Sequence, residues 1–321
     1  MRILITGAGL IGCYTAAQMI DSGHEVVLFD VSPRMGYIRN VLRDREVSVR
    51  TGDIVDIGDL PDLQPVHRIG KVDMIVHTAG VIGGTARANP YGAMRTNLVG
   101  TIELAKAAQS AGVRQIVYAS THGVYELEKV REAPFLETAP VSAHSLYGAT
   151  KLSSEHVLRA FGEAYGIQIT VLRFPNVYGY GEFVGGSSGG IAFQELLVAA
   201  MHNVPIAIPQ LLNGYGEWLY SKDAARAIQN ALEHSITKPY VVANVGNGVL
   251  HDENDIVRSV KALFPEAQFR NSRDEDAPPR STERHVAFDL STAKREIGYY
   301  PRFNLDDGIS DHSEELKRAN V

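Results

Sequence analysis

Arg2-Ile3-Leu4-Ile5-Thr6-Gly7-Ala8-Gly9-Leu10-Ile11-Gly12 reads as a short apolar strand, a glycine turn and the first turn of a helix. In this Gly-x-Gly-x-x-Gly run, Gly7 permits the tight turn and Gly9 lets the backbone approach a pyrophosphate. Gly12 allows close helix–strand packing. Phosphates then rest on unpaired N–H groups at the positive helix end, the backbone of Leu10 and Ile11 included. The helical pattern runs from Leu10 to Ser22, Gly23 ends it, and Glu25–Asp30 forms a second apolar strand. Asp30 follows Gly12 by 18 residues, where a carboxylate binds a ribose diol and repels a 2′-phosphate. The stretch therefore predicts a dinucleotide site that takes NAD, with Arg34 nearby leaving NADP as the lesser alternative.

Further strands are expected near Val47–Val49, Met74–His77, Gln115–Ala119 and Gln168–Phe174, with helices over Ala88–Ala111 and Tyr147–Tyr165. Val- and Ile-rich strands alternating with amphipathic helices make βαβ units. The predicted fold is α/β, a Rossmann-type doubly wound parallel sheet with a smaller C-terminal substrate-binding domain. The NAD-binding domain takes 1–174 with a return segment near 218–245; the substrate-binding part takes 175–217 and 246–321. Pro175–Gly190, rich in Gly, Tyr and Ser, reads as a substrate-side loop. Ile191–His202 and Trp218–His234 read as helices, and Arg273–Arg284, with Pro278–Pro279, as a loop. With no long linker, the later part packs over the C-terminal edge of the sheet, where open α/β folds bind ligands.

The composition narrows the function classes. The 321 residues are 45% hydrophobic, with a net charge of −6 and no Lys/Arg run, which argues against nucleic acid or an anionic membrane as partner. No segment offers the roughly 18 uninterrupted apolar residues of a membrane span, and the apolar opening lacks a basic n-region. A soluble, cytoplasmic protein is expected. The lone Cys13 excludes an internal disulfide framework and reads as a small buried helix residue. No metal site is expected.

Tyr147 and Lys151 stand at i and i+4 in Ser145-Leu146-Tyr147-Gly148-Ala149-Thr150-Lys151, on one helical face. A lysine beside a tyrosine lowers the phenol's reference pKa of about 10 toward the working pH, as acid/base chemistry on an alcohol or ketone requires. Alone, the pair equally describes an exposed tyrosine packed on a lysine stem. Gly52-Asp53-Ile54 follows the third strand, and Asp53 there accepts from an adenine amino group or is an ordinary turn aspartate. His77-Thr78-Ala79-Gly80 ends the fourth strand in small residues that skirt a cofactor, so Ala79 and Gly80 join the candidate site. His77 itself reads equally as a satisfied core histidine.

Together these motifs resemble the extended short-chain dehydrogenase/reductases, the NAD-dependent epimerase/dehydratase family. The resemblance spans nearly the whole chain: the glycine turn, Gly52-Asp53, Asn97-Leu98-Val99-Gly100-Thr101, Ala119-Ser120-Thr121, Tyr147…Lys151, and Leu172-Arg173-Phe174-Pro175-Asn176-Val177-Tyr178-Gly179. It implies that Tyr147 is the acid/base and that Lys151 binds the nicotinamide ribose and holds the tyrosine ionised. Thr121 would bond the same substrate oxygen, and Ser120 and Pro175 would lie beside the cofactor. Asn97 would serve the cofactor side or hold the helix. On the substrate side the candidates are Thr121, His122, Asn176, Trp218 and Arg280; His122 reads equally as a hydrogen-bonded structural histidine, and either Arg280 or Arg284 is the candidate cation for a phosphate. A homodimer is implied through the helices carrying Leu98, Ile102, Leu152 and Leu158, residues that would equally serve the internal core.

Three departures from the family pattern matter. The first glycine spacing is one residue shorter than the usual Gly-x-x-Gly-x-x-Gly. The 4,6-dehydratases carry an Asp-Glu pair after the catalytic Thr; this chain has His122-Gly123, so dehydration is not expected. Members acting on nucleotide sugars carry Arg-Asp ahead of an aromatic-aliphatic pair. Here Gly216-Glu217-Trp218-Leu219 removes a guanidinium worth roughly 1.5–3 kcal/mol per charge-assisted bond. The leading expectation is an NAD-dependent oxidoreductase or epimerase acting at a secondary alcohol of a sugar or related polyhydroxy compound. Alternatives are a nucleotide-sugar 4-epimerase, a net dehydrogenase of a small non-nucleotide substrate, and a non-catalytic NAD-sensing scaffold.

Overall fold

The computed structural model describes residues 1–64, 71–130, 133–182, 187–209, 212, 215–270 and 286–321. The chain begins with β1 (Arg2–Thr6), α1 (Leu10–Asp21), β2 (Glu25–Asp30), α2 (Met35–Leu42), β3 (Ser48–Thr51) and β4 (Met74–His77). It continues through α3 (Gly83–Ala88), α4 (Pro90–Met94), α5 (Gly100–Ala111), β5 (Gln115–Thr121), α6 (Leu146–Tyr165) and β6 (Gln168–Phe174). The later half holds β7 (Asn176–Tyr178), α7 (Ser188–Met201), β8 (Ile206–Ala207), β9 (Gly216–Tyr220), α8 (Ser221–Glu233) and β10 (Tyr240–Asn244). After these come β11 (Leu250–His251), α9 (Glu253–Leu263), β12 (Phe269–Arg270), α10 (Ser291–Ile297) and α11 (Leu305–Arg318).

β1 to β6 and β10 form one parallel sheet in the order β10-β6-β5-β4-β1-β2-β3. Strand order reverses between β1 and β4, the switch point at which doubly wound sheets open a crevice. Both faces are covered. Alternation along β1 sends Ile3 and Ile5 into one apolar cluster and Leu4 into the other, all fully buried. Each such side chain contributes about 1.5–3 kcal/mol on burial. This two-sided demand is why the strands read as unbroken apolar runs. β10, from within 218–245, extends the sheet beside β6. β7, β9 and β11 form a separate small sheet, and β8 pairs with β12.

Three elements depart from the sequence expectation. The single helix over Ala88–Ala111 is broken: Pro90 opens α4, Asn89 caps it by accepting from Gly92 N at 2.9 Å, and a π-turn over Arg95–Val99 leads into α5. Proline has no N–H to continue a helix but fits its first position. Trp218–Tyr220 belong to strand β9, and the helix begins at Ser221. The stretch Pro175–Gly190 holds the buried strand β7 and, from Ser188, the start of α7; 183–186 lie outside the described residues. The loop expected over Arg273–Arg284 lies wholly outside them too, Arg280 included. Of the four residues read as possible dimer contacts, Leu158 is fully buried inside the core beside the sheet.

Candidate active site

The candidate site lies along the C-terminal edge of the sheet, because each conspicuous residue ends or follows a strand. Gly7 follows β1 with φ +88°, and a Cβ there would lie 2.7 Å from Ala79 N. Gly12 packs so tightly under the turn that a Cβ would lie 1.8 Å from the Gly7 carbonyl oxygen. Gly9 differs: it is exposed, and a Cβ there would meet nothing within 4 Å. The turn thus spends two glycines on its own packing and leaves an open surface at the third. α1 starts at Gly9 without a side-chain cap or an acidic residue in its first turn. Its leading N–H groups, at Leu10 and Ile11, are offered to an anion.

Asp30 ends β2 and faces this turn. Its carboxylate accepts from Ala8 N and from Ser32 N, both at 2.8 Å. Arg34 reaches away from it, donating to the Glu182 backbone oxygen at 2.7 Å and pairing with the Glu182 carboxylate. Among the described residues, the nearby Arg34 is thus engaged by Glu182 rather than by Asp30. Asp53 caps the turn after β3 by accepting from Val55 N at 3.1 Å and pairs with Arg95 at 2.6 Å. Burial would raise its carboxyl pKa, but the Arg95 and backbone bonds lower it overall. Arg95 carries no motif in the sequence; the fold alone brings it there. Ile54 is buried against Gly100, where a Cβ would lie 2.4 Å from its Cγ2.

At the far end of the crevice, Gly80 lies against Lys151, whose Nζ would be 3.5 Å from a Cβ at that glycine. Lys151 is buried, donates to the Ala119 carbonyl oxygen at 2.8 Å, and lies over the Tyr118 ring at 4.5 Å from its centroid. Burial pulls its ammonium down to about 8, with Glu155 opposing the fall. Tyr147 stands one turn before it on α6, which Ser145 caps by accepting from Gly148 N at 3.0 Å. The Lys151 Nζ is 6.0 Å from the Tyr147 ring centroid. Burial drives the Tyr147 phenol above its ordinary range, and a hydrogen bond with Thr121 opposes this. This corrects the expectation from spacing alone. Lys151 and Tyr147 share a face, but the structure as it stands favours the phenol rather than the phenolate.

Around this pair, several expected residues serve the scaffold. Asn97 is buried with its carboxamide engaged by protein: Oδ1 accepts from Val81 N at 2.7 Å, and Nδ2 donates to Val81 O and Thr150 Oγ1. Ser120 donates to Glu155. His77 is a satisfied core histidine between Thr6 and Thr101, 2.7 and 3.0 Å away, and burial pushes its pKa down to about 3. Cys13 is buried and donates to Ala8 O at 3.2 Å. Thr121 ends β5 in register with Phe174, so Pro175 and the half-buried His122 flank it; the His122 ring lies 3.3 Å from the Phe174 carbonyl oxygen.

Of the residues expected on the substrate side, Asn176 pairs in register with Trp218 across β7 and β9. Asn176 is partly exposed, but Trp218 is not an open binding surface. Its ring is 4% exposed, 5.4 Å from Phe193, and lies against Gly189 and Gly216, whose missing side chains make room for it. Glu217 is likewise inward: its carboxylate accepts from Gly248 N at 2.8 Å and Phe288 N at 2.9 Å. Burial raises its pKa against those bonds. The carboxylate is thus a backbone staple, not a charge in the cleft.

The glycine cradle, the carboxylate beside it, and a buried lysine next to a tyrosine fit a dinucleotide with a reacting alcohol at one end. Comparison with known proteins agrees. The family model described as "NAD dependent epimerase/dehydratase family" matches residues 3–246. The chain is 28% identical to a dTDP-L-rhamnose 4-epimerase of Burkholderia thailandensis, covering 99% of this chain and 97% of that protein. It is 26% identical to a UDP-glucose 4-epimerase of Bacillus subtilis, over 97% of this chain and 95% of that one. The crystal structure of a UDP-glucose 4-epimerase with UDP-glucose from Thermotoga maritima superposes with a TM-score of 0.83 at 24% identity, covering 100% of both chains. Among the described residues no helix is long and apolar enough to cross a membrane. The chain belongs to the NAD-dependent epimerase/dehydratase family, as an NAD-using enzyme of hydride transfer at a secondary alcohol of a sugar-like substrate.

Proposed function

We propose that this enzyme is a nucleotide-sugar 4-epimerase in which Tyr147 exchanges the proton of the substrate's secondary hydroxyl. Bound NAD supplies the hydride acceptor and, in its oxidised form, a positive charge. The observation that carries the reading is the meeting of three groups at one end of the crevice: Tyr147 beside Thr121, with Lys151 buried between Gly80 and Ala119. A hydride leaves a carbinol carbon only if the hydroxyl proton also leaves, and the Tyr147 phenolate takes it, becoming the phenol. Thr121 orients the same oxygen. Lys151, an ammonium with a pKa of about 8, favours the phenolate by its charge and reaches the ribose side of the cleft. The turn at Gly7–Gly12 and the first N–H groups of α1 hold the pyrophosphate, and Asp30 takes the ribose diol. Asp53, Ile54, Ala79, Gly80 and Pro175 complete the cofactor walls, and Asn176 faces the sugar. Asn97 and Ser120 brace the walls through Val81 and Glu155.

One observation favours a second reading, a net dehydrogenase of a small non-nucleotide substrate. Gly216 brings no guanidinium to the place where nucleotide-sugar members carry one, and Glu217 is tied to backbone. The two separate in one experiment. Purified protein is incubated with NAD and UDP- or dTDP-linked hexoses, reduced nicotinamide is followed by absorbance, and the sugars are resolved by chromatography. A C4 epimer without net NADH supports the proposal; stoichiometric NADH with an oxidised product overturns it. Neither outcome with any sugar, together with full activity of Tyr147→Phe on a later substrate, would sink the acid/base assignment itself.

A further inference from the structure

Below Lys151 on α6 lies Glu155, the third residue of the series Tyr147, Lys151 and Glu155 at i, i+4 and i+8. Its carboxylate is 2% exposed and bound on both oxygens. Oε1 accepts from Ser120 Oγ and from Arg173 Nε at 3.1 Å; Oε2 accepts from Arg173 Nη2 at 2.6 Å. Arg173 lies over the Tyr125 ring at 4.7 Å and donates to the Glu137 carbonyl oxygen at 3.3 Å. The Glu137 carboxylate accepts from Asn244 N at 2.6 Å and from Thr292 at 2.9 Å, so the chain of bonds ends on α10. A buried ion pair with its hydrogen bonds is no economical way to fill a core, since well-packed apolar residues do as well or better. Its place directly beneath Lys151 suggests another use.

We propose that Glu155 is a positioning residue of the reaction: its carboxylate keeps the buried Lys151 in the ammonium form, and Arg173 fixes that carboxylate in place. The proposal rests on the role given to Lys151 above. The groups around Lys151 are the Ala119 carbonyl and the Tyr118 ring from β5, Tyr147 from α6, and beyond Tyr118 the uncharged His77 of β4; Glu155 follows one turn further along α6 and acts on Lys151 through its charge. Tyr118 and Tyr147 are held protonated by burial, so among these groups Glu155 supplies the negative charge. Arg173, from β6, pairs with that carboxylate, and the pull of Glu155 on Lys151 persists beside it.

The test reads Lys151 itself, without substrate. Protein carrying 13C-labelled lysine is titrated by NMR, and the Lys151 signal is assigned by its absence in Lys151→Arg. The wild-type midpoint is expected near 8. In Glu155→Gln it should fall by at least half a pH unit, about a threefold change in the ammonium-to-amine ratio. Arg173→Lys, which keeps the carboxylate but weakens its anchor, should lower thermal stability without that fall. A midpoint unmoved in folded Glu155→Gln overturns the proposal, because a purely structural pair would change melting alone. Should Glu155→Gln not fold, Glu155→Asp serves: its shorter carboxylate withdraws from Lys151, and an unmoved midpoint again refutes the idea. Because the titration needs no turnover, its outcome is separable from that of Tyr147→Phe.

Discussion

His312 offers the most direct quantitative check on the packing of the C-terminal part. Its ring lies on α11, fully buried beside Tyr178 and Phe193, and neither ring nitrogen has a hydrogen-bond partner among the described residues. Burial lowers its pKa from 6.5 to about 3. A histidine whose folded-state pKa is depressed takes up its proton in the unfolded chain first. Its contribution is therefore neutral above about pH 6.5, and stability falls as pH drops from there toward about 3. Each unit of that window costs about 1.4 kcal/mol, so between pH 7 and pH 5 His312 removes about 2 kcal/mol. His312→Leu abolishes this term and loses no hydrogen bond, so at pH 7 it should change stability by about 1 kcal/mol or less. Urea unfolding of both proteins at the two pH values measures the difference. Equal losses on acidification would refute the buried, neutral histidine and the packing of α11 on α7.

Other expectations follow from the site. Tyr147→Phe should reduce turnover by about 100-fold or more while leaving NAD affinity within about threefold, measured by steady-state kinetics and fluorescence titration. Gly12→Ala forces a methyl group into the Gly7 carbonyl and must push α1 off β1 by more than an ångström. It should cost about 1–3 kcal/mol in thermal or urea unfolding and weaken NAD binding; wild-type values for both would contradict the close contact. With Lys151 active as the ammonium, kcat should fall as pH rises through about 8, and a profile flat to pH 10 would deny that role. Gly216→Arg restores a guanidinium beside Asn176. If the substrate carries a diphosphate, KM for it should drop about tenfold or more, whereas no change would speak for a substrate without one.

Much of this molecule is legible from local pattern. The strand–glycine–helix opening and the apolar strands are written in neighbouring residues, because parallel strands buried on both faces must be apolar throughout. Tyr147 and Lys151 are readable together because helix periodicity alone places them on one face. Harder to see were the breaks and the partners. The series from Ala88 to Ala111 is helix-forming on average, and Pro90 with the π-turn divides it. Trp218 is expected on the substrate side, yet Gly189 and Gly216 admit its ring to the core.

By itself, then, the sequence determined the fold class, the strand–glycine–helix opening and the helix that puts Tyr147 and Lys151 on one face, since each rests on spacing within one strand, turn or helix. Only the tertiary structure decided where charges settle. Arg34 turns to Glu182, Arg95 meets Asp53 across 42 residues, and Glu155 finds Arg173 and Ser120 from two different strands. Glu217 turns into backbone, and burial raises the Tyr147 phenol instead of lowering it. Electrostatics and desolvation depend on distances between segments remote in the chain, and no local pattern encodes those distances.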